Sequence, residues 1–173
     1  LEYNRLVAGD VRLPVLFLGG FPRSGTTSVQ TVLRYAWPSH LPEIPTGTPR
    51  FSLWEQPKHS TEVMEALMGL DRSSVVPLLV IRSFTDAVAS LIVGRGGAEF
   101  VNVPSKVSTW ETWMRLAHQP MALTVTYETV RSHSPYKLMV ALEQAFQVQP
   151  EQSITVDATY KSLMMLMNKG SVD

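Results

Sequence analysis

An arginine, a glycine and several hydroxyl side chains lie between two apolar stretches near the start of the chain. The sequence VLFLGGFPRSGTTSVQTVL, residues 15–33, predicts a strand, a loop and a helix in that order. Such a loop directs backbone N–H groups and the positive end of the helix dipole at one point. We therefore expect a phosphate site formed by Arg23, Ser24, Gly25, Thr26, Thr27 and Ser28. The alternative is an ordinary strand-to-helix turn with a solvated arginine.

The spacing from Gly20 to Thr27 has the length of a Walker A loop. Thr26, however, stands where the nucleoside-triphosphate version has its lysine, and the cation is instead Arg23 on the loop itself. From that position Arg23 would meet a group lying beyond the bound phosphate. A strand ending in the Asp that holds Mg²⁺ in phosphoryl-transfer enzymes is also missing from the sequence pattern. A magnesium-dependent small-molecule kinase is therefore the least favoured alternative.

A second motif, LLVIRSFTDAVAS at residues 78–90, places Arg82 at the carboxyl end of a buried strand. Ser83 and Asp86 form a capping-box pattern that predicts a helix directly after it. Ligands of open α/β sheets bind at this edge, so Arg82 and Ser90 are predicted to share an anion. The alternative is that Arg82 forms a salt bridge with Asp86 and that Ser90 is an ordinary helix residue.

Composition limits the classes of function. The 173 residues are 45% apolar and carry 15 basic and 15 acidic side chains, which predicts one globular domain over 1–173 with no general attraction for nucleic acid. The chain has no cysteine, and its four histidines lack metal-ligand spacing, so we expect no metal site. No apolar stretch is long enough for a membrane span. The cytoplasm is the default compartment, and the oligomeric state is unknown.

Short apolar runs alternate with helical periodicity, which predicts an α/β fold: a three-layer, P-loop-like domain whose central, mostly parallel sheet has three to five strands flanked by helices. Buried strands are predicted at Val15–Leu18, Pro77–Ile81 and Ala122–Tyr127, with weaker candidates at Arg50–Leu53 and Ile154–Val156. Helices are predicted after Thr26, His59 and Ser83, and at residues 107–117, 139–146 and 163–167.

Two segments, residues 37–58 and 94–105, are rich in proline or glycine and are predicted to be loops over the edge of the sheet. Trp37, Trp54 and Phe100 lie in them and could flank an aromatic or lipid hydroxyl. The equally weighted alternative is that these aromatic side chains pack locally against their own loops.

Together the two motifs resemble those of sulfotransferases that use 3′-phosphoadenosine 5′-phosphosulfate (PAPS). In that family a P-[KR]-S-G-T-T loop binds the 5′-phosphosulfate, and the corresponding residues here are PRSGTT, Pro22–Thr27. An Arg followed eight positions later by Ser binds the 3′-phosphate, which matches Arg82 and Ser90. The resemblance covers Val15 to about Phe146 and implies the cofactor PAPS, the product PAP and no metal.

Two further matches concern His59 and Tyr127. Family members carry a catalytic His in a K-T-H segment about two dozen residues before the Arg, and here His59 precedes Arg82 by 23 positions. His40, followed by Leu-Pro, is the second candidate for the base. The segment TVTYETV resembles the family's Y-E-D segment, which implies that Tyr127 lies near the adenine.

The sequence also departs from the family pattern. Ser28 stands where many members have a tryptophan that stacks on adenine. Near the carboxyl terminus the family has an R-K-G clamp on the 3′-phosphate, whereas this chain has Asn168-Lys-Gly, which we do not equate with it. The clamp is thus missing, supplied by another segment, or removed by truncation relative to the family.

The resemblance implies in-line transfer of a sulfuryl group from PAPS to a hydroxyl of a small molecule or peptide. His59 would act as the general base, because an imidazole with its ordinary pKa near 6.5 can take a proton at neutral pH. Arg23 would stabilise charge on the leaving oxygen, since a guanidinium stays protonated. The alternative from another class is a nucleotide-binding module that has the cleft without turnover.

Overall fold

The computed structural model describes residues 15–40, 59–69 and 75–169. Its centre is a sheet of three parallel strands, β1 (Val15–Gly20), β2 (Val75–Ile81) and β3 (Leu123–Thr126), in the order β1-β2-β3. Gly20 pairs with Val80. Because all three strands run the same way, their carboxyl ends meet at one edge of the sheet.

Seven helices accompany the sheet in the described ranges. They are α1 (Thr26–Ala36), α2 (Thr61–Met68), α3 (Phe84–Arg95), α4 (Val103–Ala117), α5 (Tyr127–Ser132), α6 (Pro135–Phe146) and α7 (Tyr160–Lys169). Short 3-10 turns cover Pro38–His40 and Ala98–Phe100. Each strand is followed along the chain by a helix, as parallel connections require.

Because side chains along the strands alternate between the two faces of the sheet, the hydrophobic core consists of two clusters, one on each face. Leu16 and Leu18 lie in a cluster with the apolar side chains of α1, α6 and α7. Phe17, between them, lies in a second cluster with α2, α3 and α4. Successive strand residues point to opposite faces, so helices cover both sides of the sheet. The predicted α/β fold, with a parallel sheet flanked by helices, is confirmed.

Two strand predictions need correction. Ile154–Val156 is irregular chain, although Ile154 is buried and its N–H donates to the Met139 sulfur at 3.3 Å. An apolar run this short fills the core equally well without joining the sheet. The strand predicted at Ala122–Tyr127 ends one residue earlier, because Thr126 caps α5, which begins at Tyr127. The weak candidate Arg50–Leu53 lies outside the described residues.

The loop predicted at 94–105 is shorter than expected. Helix α3 continues to Arg95 and α4 begins at Val103, where the Asn102 side chain accepts from the Ser105 N–H. Phe100 is exposed, as expected for a side chain that could flank an acceptor. Trp37 is completely buried and its indole N–H donates to the Val148 carbonyl at 3.1 Å, so it neither flanks an acceptor nor packs only against its own loop. Trp54 lies outside the described residues.

Besides the core packing of Leu163, hydrogen bonds of Tyr160 connect α7 to the chain around α5. The Tyr160 hydroxyl donates to the carbonyls of Val130 and His133, at 3.4 and 3.3 Å. Burial raises the pKa of Tyr160, which keeps this hydroxyl protonated as a donor. Val130 also lies close to Gly25 at the start of α1, so this tether supports the loop after β1.

Replacement of Leu78 by alanine should destabilise the domain severely. Leu78 is fully buried in the central strand, and removing its side chain should lower the free energy of unfolding by about 2–5 kcal/mol. The matched control is Val93→Ala, because Val93 is 81% exposed and should change stability by less than about 0.5 kcal/mol. Urea unfolding measures both, and equal losses for the two variants would contradict the assigned core.

Candidate functional site

The loop Phe21–Gly25 carries the chain from β1 to α1 in a tight turn. The Ser24 N–H donates to the Phe21 carbonyl at 3.2 Å, and Arg23 and Gly25 both have positive φ angles, 69° and 96°. A Cβ on Gly25 would lie 3.2 Å from the ring of Tyr127. Glycine is therefore required there on two counts, backbone conformation and close approach.

The start of α1 has no side-chain cap. Its N-cap, Gly25, makes no side-chain hydrogen bond, and its first turn contains no acidic residue. By contrast, the five following helices are capped by the side chains of Ser60, Ser83, Asn102, Thr126 and Ser134. Among the described residues, the backbone N–H groups in the first turn of α1 therefore have no side-chain cap, and they share the positive end of the helix dipole. This arrangement suits an anion.

The hydroxyl residues of the loop and first turn lie in different surroundings. Thr27 is exposed, and its carbonyl accepts from the Thr31 hydroxyl at 2.9 Å. Ser28 is half-buried, whereas Thr26 is buried against the end of β1 near Gly20. Ser24, a residue of the loop itself, is completely buried. Of the predicted hydroxyl ligands, Thr27 and Ser28 are thus the most accessible from solvent.

His59 lies over the start of the loop. Its Nδ1 atom is 2.9 Å from the carbonyl oxygen of Gly20, the last residue of β1. A carbonyl can only accept, so Nδ1 carries the proton and Nε2 is the basic nitrogen of the neutral ring. Sequence reasoning found the histidine but not the carbonyl that selects its tautomer.

His40, the second candidate for the base, lies at the opposite end of α1. The helix begins at the loop and has 11 residues, a length of about 16 Å. His40 follows its carboxyl end, is 8% exposed, and its backbone N–H donates to the Trp37 carbonyl. The structure therefore places His59, not His40, beside the loop.

Arg82 is held at the end of β2 by contacts on several sides. Its Nη1 donates to the Arg23 carbonyl at 2.8 Å, and its guanidinium carbon lies 3.7 Å from the ring centre of Tyr127. The indole N–H of Trp110 donates to the Arg82 carbonyl at 3.0 Å. Cation–π and hydrogen-bonding contacts together fix the guanidinium beside the loop. No sequence pattern pointed to Trp110, since it contacts Arg82 from another helix.

Ser90 contacts the other arginine. Arg23 Nε donates to the Ser90 hydroxyl at 3.1 Å, and the Arg23 guanidinium passes close to Gly94 on the same side of α3. Arg82 and Ser90, which were predicted to share an anion, are therefore linked through Arg23 in this structure. Arg23 joins the two residues, donating to Ser90 and accepting from Arg82.

The capping-box prediction after β2 is confirmed. The Ser83 hydroxyl accepts from the Asp86 N–H at 3.3 Å and donates to the Asp86 carboxylate at 2.7 Å. Asp86 is thereby engaged at the start of α3, which leaves the Arg82 guanidinium directed to the loop and Tyr127.

Alanine at Gly25 should harm the loop more than alanine at Gly96. Both glycines have left-handed φ angles, 96° and 85°, so each substitution should cost about 1–2 kcal/mol of backbone strain. Only at Gly25 would the new Cβ also crowd a side chain, that of Tyr127; at Gly96 nothing described lies within 4 Å. Urea unfolding should therefore show a larger loss for Gly25→Ala, and the reverse order would contradict this loop geometry.

A scan against protein-family models finds no match for the chain, and searches of curated proteins and of solved structures find none either. Within the described ranges, histidine and carboxylate side chains form no group of three or more that could hold a metal ion. None of the helices there is long and apolar enough to cross a lipid bilayer. The functional assignment consequently rests on the geometry at the carboxyl edge of the sheet.

Proposed function

We propose that this chain is a sulfotransferase that moves a sulfuryl group from PAPS to an acceptor hydroxyl. The observation that carries the proposal is that the uncapped start of α1, one histidine and two arginines all lie at one loop. His59 is bonded to the residue before the loop, and Arg82 is bonded to the carbonyl of Arg23 within it. A base and two cations beside an anion site are what group transfer from a phosphosulfate requires.

The residues present fit a nucleotide with two anionic groups. The first turn of α1 and Arg23 would hold the 5′-phosphosulfate. The N-cap of this helix, Gly25, makes no side-chain cap hydrogen bond, and a Cβ there would lie 3.2 Å from the Tyr127 ring. Arg82 and Ser90 would hold the 3′-phosphate, and Tyr127 would lie beside the adenosine. When bound, PAPS supplies the sulfuryl group that is transferred.

Both arginines donate to acceptors of the chain itself in this structure. The Arg23 and Arg82 donors bond to a hydroxyl and a carbonyl, which are neutral acceptors. Phosphate oxygens form stronger, charge-assisted hydrogen bonds with guanidinium groups. A phosphate is therefore expected to displace Ser90 from Arg23 and to bind the other N–H donors of Arg82, while Arg82 Nη1 keeps its bond to the Arg23 carbonyl and holds the loop in place.

His59 is the group that moves a proton. The Gly20 carbonyl holds the proton on Nδ1, so Nε2 accepts the proton of the acceptor hydroxyl as that oxygen attacks. Arg23 stabilises the negative charge on the oxygen from which the sulfuryl group departs. The acceptor class is a small-molecule or peptide hydroxyl.

Arg82→Ala should weaken PAP binding by about 1.5–3 kcal/mol, the usual loss for a charge-assisted contact. The same variant should weaken binding of adenosine 5′-phosphosulfate much less, because that ligand lacks the 3′-phosphate and loses only the support that Arg82 gives the loop. Calorimetric titrations without divalent metal measure both ligands. Equal losses for the two would show that Arg82 does not recognise the 3′-phosphate.

His59→Ala should lower the rate of sulfuryl transfer by roughly 10²–10⁴, the usual worth of a positioned general base, and keep PAP affinity within a few fold. His40→Ala is the matched control and should change the rate far less, because His40 follows the distant end of α1. The wild-type rate should rise with pH, since only the neutral imidazole can accept a proton.

Phenol, alcohol, sugar and peptide acceptors with labelled PAPS provide the assay. Full activity in His59→Ala with loss in His40→Ala would reverse the assignment of the base. PAP binding without transfer to any of these acceptors would favour the non-catalytic nucleotide-binding module.

A further inference from the structure

A small cavity lies beneath the loop, between β2 and α4. Its volume is about 10 Å³, and three polar side chains reach its lining from different parts of the chain: Ser24 from the loop, Arg82 from the end of β2 and Trp113 from α4. The other lining residues belong to the end of β1, the start of the loop, β2 and α4, and they include Trp110, whose indole N–H already donates to the Arg82 carbonyl. The cavity thus adjoins the proposed nucleotide site from inside the protein.

The same three side chains carry buried polar atoms without a hydrogen-bond partner among the described residues. The atoms are Ser24 Oγ, Arg82 Nε and Trp113 Nε1. Ser24 is completely buried and Trp113 is 4% exposed. Buried polar atoms in folded proteins are almost always hydrogen-bonded, to protein or to ordered water. Because all three residues line the same cavity, a common partner there would satisfy these atoms together.

We propose that this cavity binds one water molecule that joins Ser24, Arg82 and Trp113. Arg82 Nε and Trp113 Nε1 can only donate, and a water oxygen accepts from both. The water then donates to Ser24 Oγ, which completes the three hydrogen bonds that a buried water typically makes. The volume agrees, since about 10–15 Å³ of this kind of space holds a single water.

The water gives Trp113 a positioning role. Through this water the Trp113 indole is connected to Ser24 in the loop and to Nε of Arg82. The Nη1 atom of the same guanidinium donates to the Arg23 carbonyl. Trp113 would therefore orient Arg82 and the loop without touching the nucleotide. This consequence rests on the proposed function, whereas the water site itself does not.

Trp37 offers a matched control. It is also a fully buried tryptophan, but its indole N–H donates to the Val148 carbonyl at 3.1 Å. In the wild-type protein, water-selective NMR should show a cross-relaxation peak between a long-lived water and the Trp113 indole proton that does not arise from chemical exchange. The Trp37 indole proton should show no such peak. Addition of bromide should leave the Trp113 signal unchanged. No water peak at Trp113, or displacement of it by bromide, would overturn the water site.

Trp113→Phe removes the donor and keeps an aromatic ring. We expect it to weaken PAP binding about three- to tenfold, and Trp37→Phe to leave PAP affinity within twofold of wild type. Equal affinities in the two variants would overturn the positioning role. If wild-type protein fails to bind PAP, the proposed function is wrong, and the NMR peak at Trp113 still tests whether the cavity binds a water. If the water peak is missing while PAP binds, the water site and the positioning role that acts through it both fail, and the proposed function stands.

Discussion

The hydrogen bond from Arg82 to the Arg23 carbonyl is the contact on which the rest of the site depends. It joins the end of β2 to the middle of the loop after β1, two segments that are 59 residues apart in the chain. Arg23 has a positive φ angle of 69°, unfavourable for a residue with a side chain, and this bond helps to hold it there. The loop conformation in turn orients the start of α1 and the Arg23 guanidinium.

Parallel pairing brings the other groups to the same place. Gly20 and Val80 are partners in the sheet. The loop that follows Gly20 and Arg82, which follows the end of β2 at Ile81, therefore lie next to each other. Tyr127 follows the third strand and reaches the same edge, where it packs against Arg82. His59 contacts the same edge through the Gly20 carbonyl. The two arginines and the tyrosine ring thus lie at or just after strand ends, and His59 lies beside them through its contact with the Gly20 carbonyl.

The features that local sequence determines were predictable. The apolar run, glycine turn and helix after it specify β1, the loop and α1, and the Ser83–Asp86 pattern specifies the start of α3. Features that depend on contacts between distant segments were not. Burial of Trp37 depends on the Val148 carbonyl, 111 residues away, and nothing in the Pro-rich sequence around it reveals that partner.

The same limit applies to the site. Sequence spacing selected Arg23, Arg82 and Ser90, but only the fold shows that Arg23 lies between the other two. The central claim is that this edge binds a nucleotide with a 3′-phosphate. Calorimetric titration of the wild-type protein with PAP, ATP and ATP–Mg²⁺ tests it most directly. We expect PAP to bind without divalent metal and more tightly than either form of ATP; tighter binding of ATP–Mg²⁺ would contradict a 3′-phosphate site at this edge.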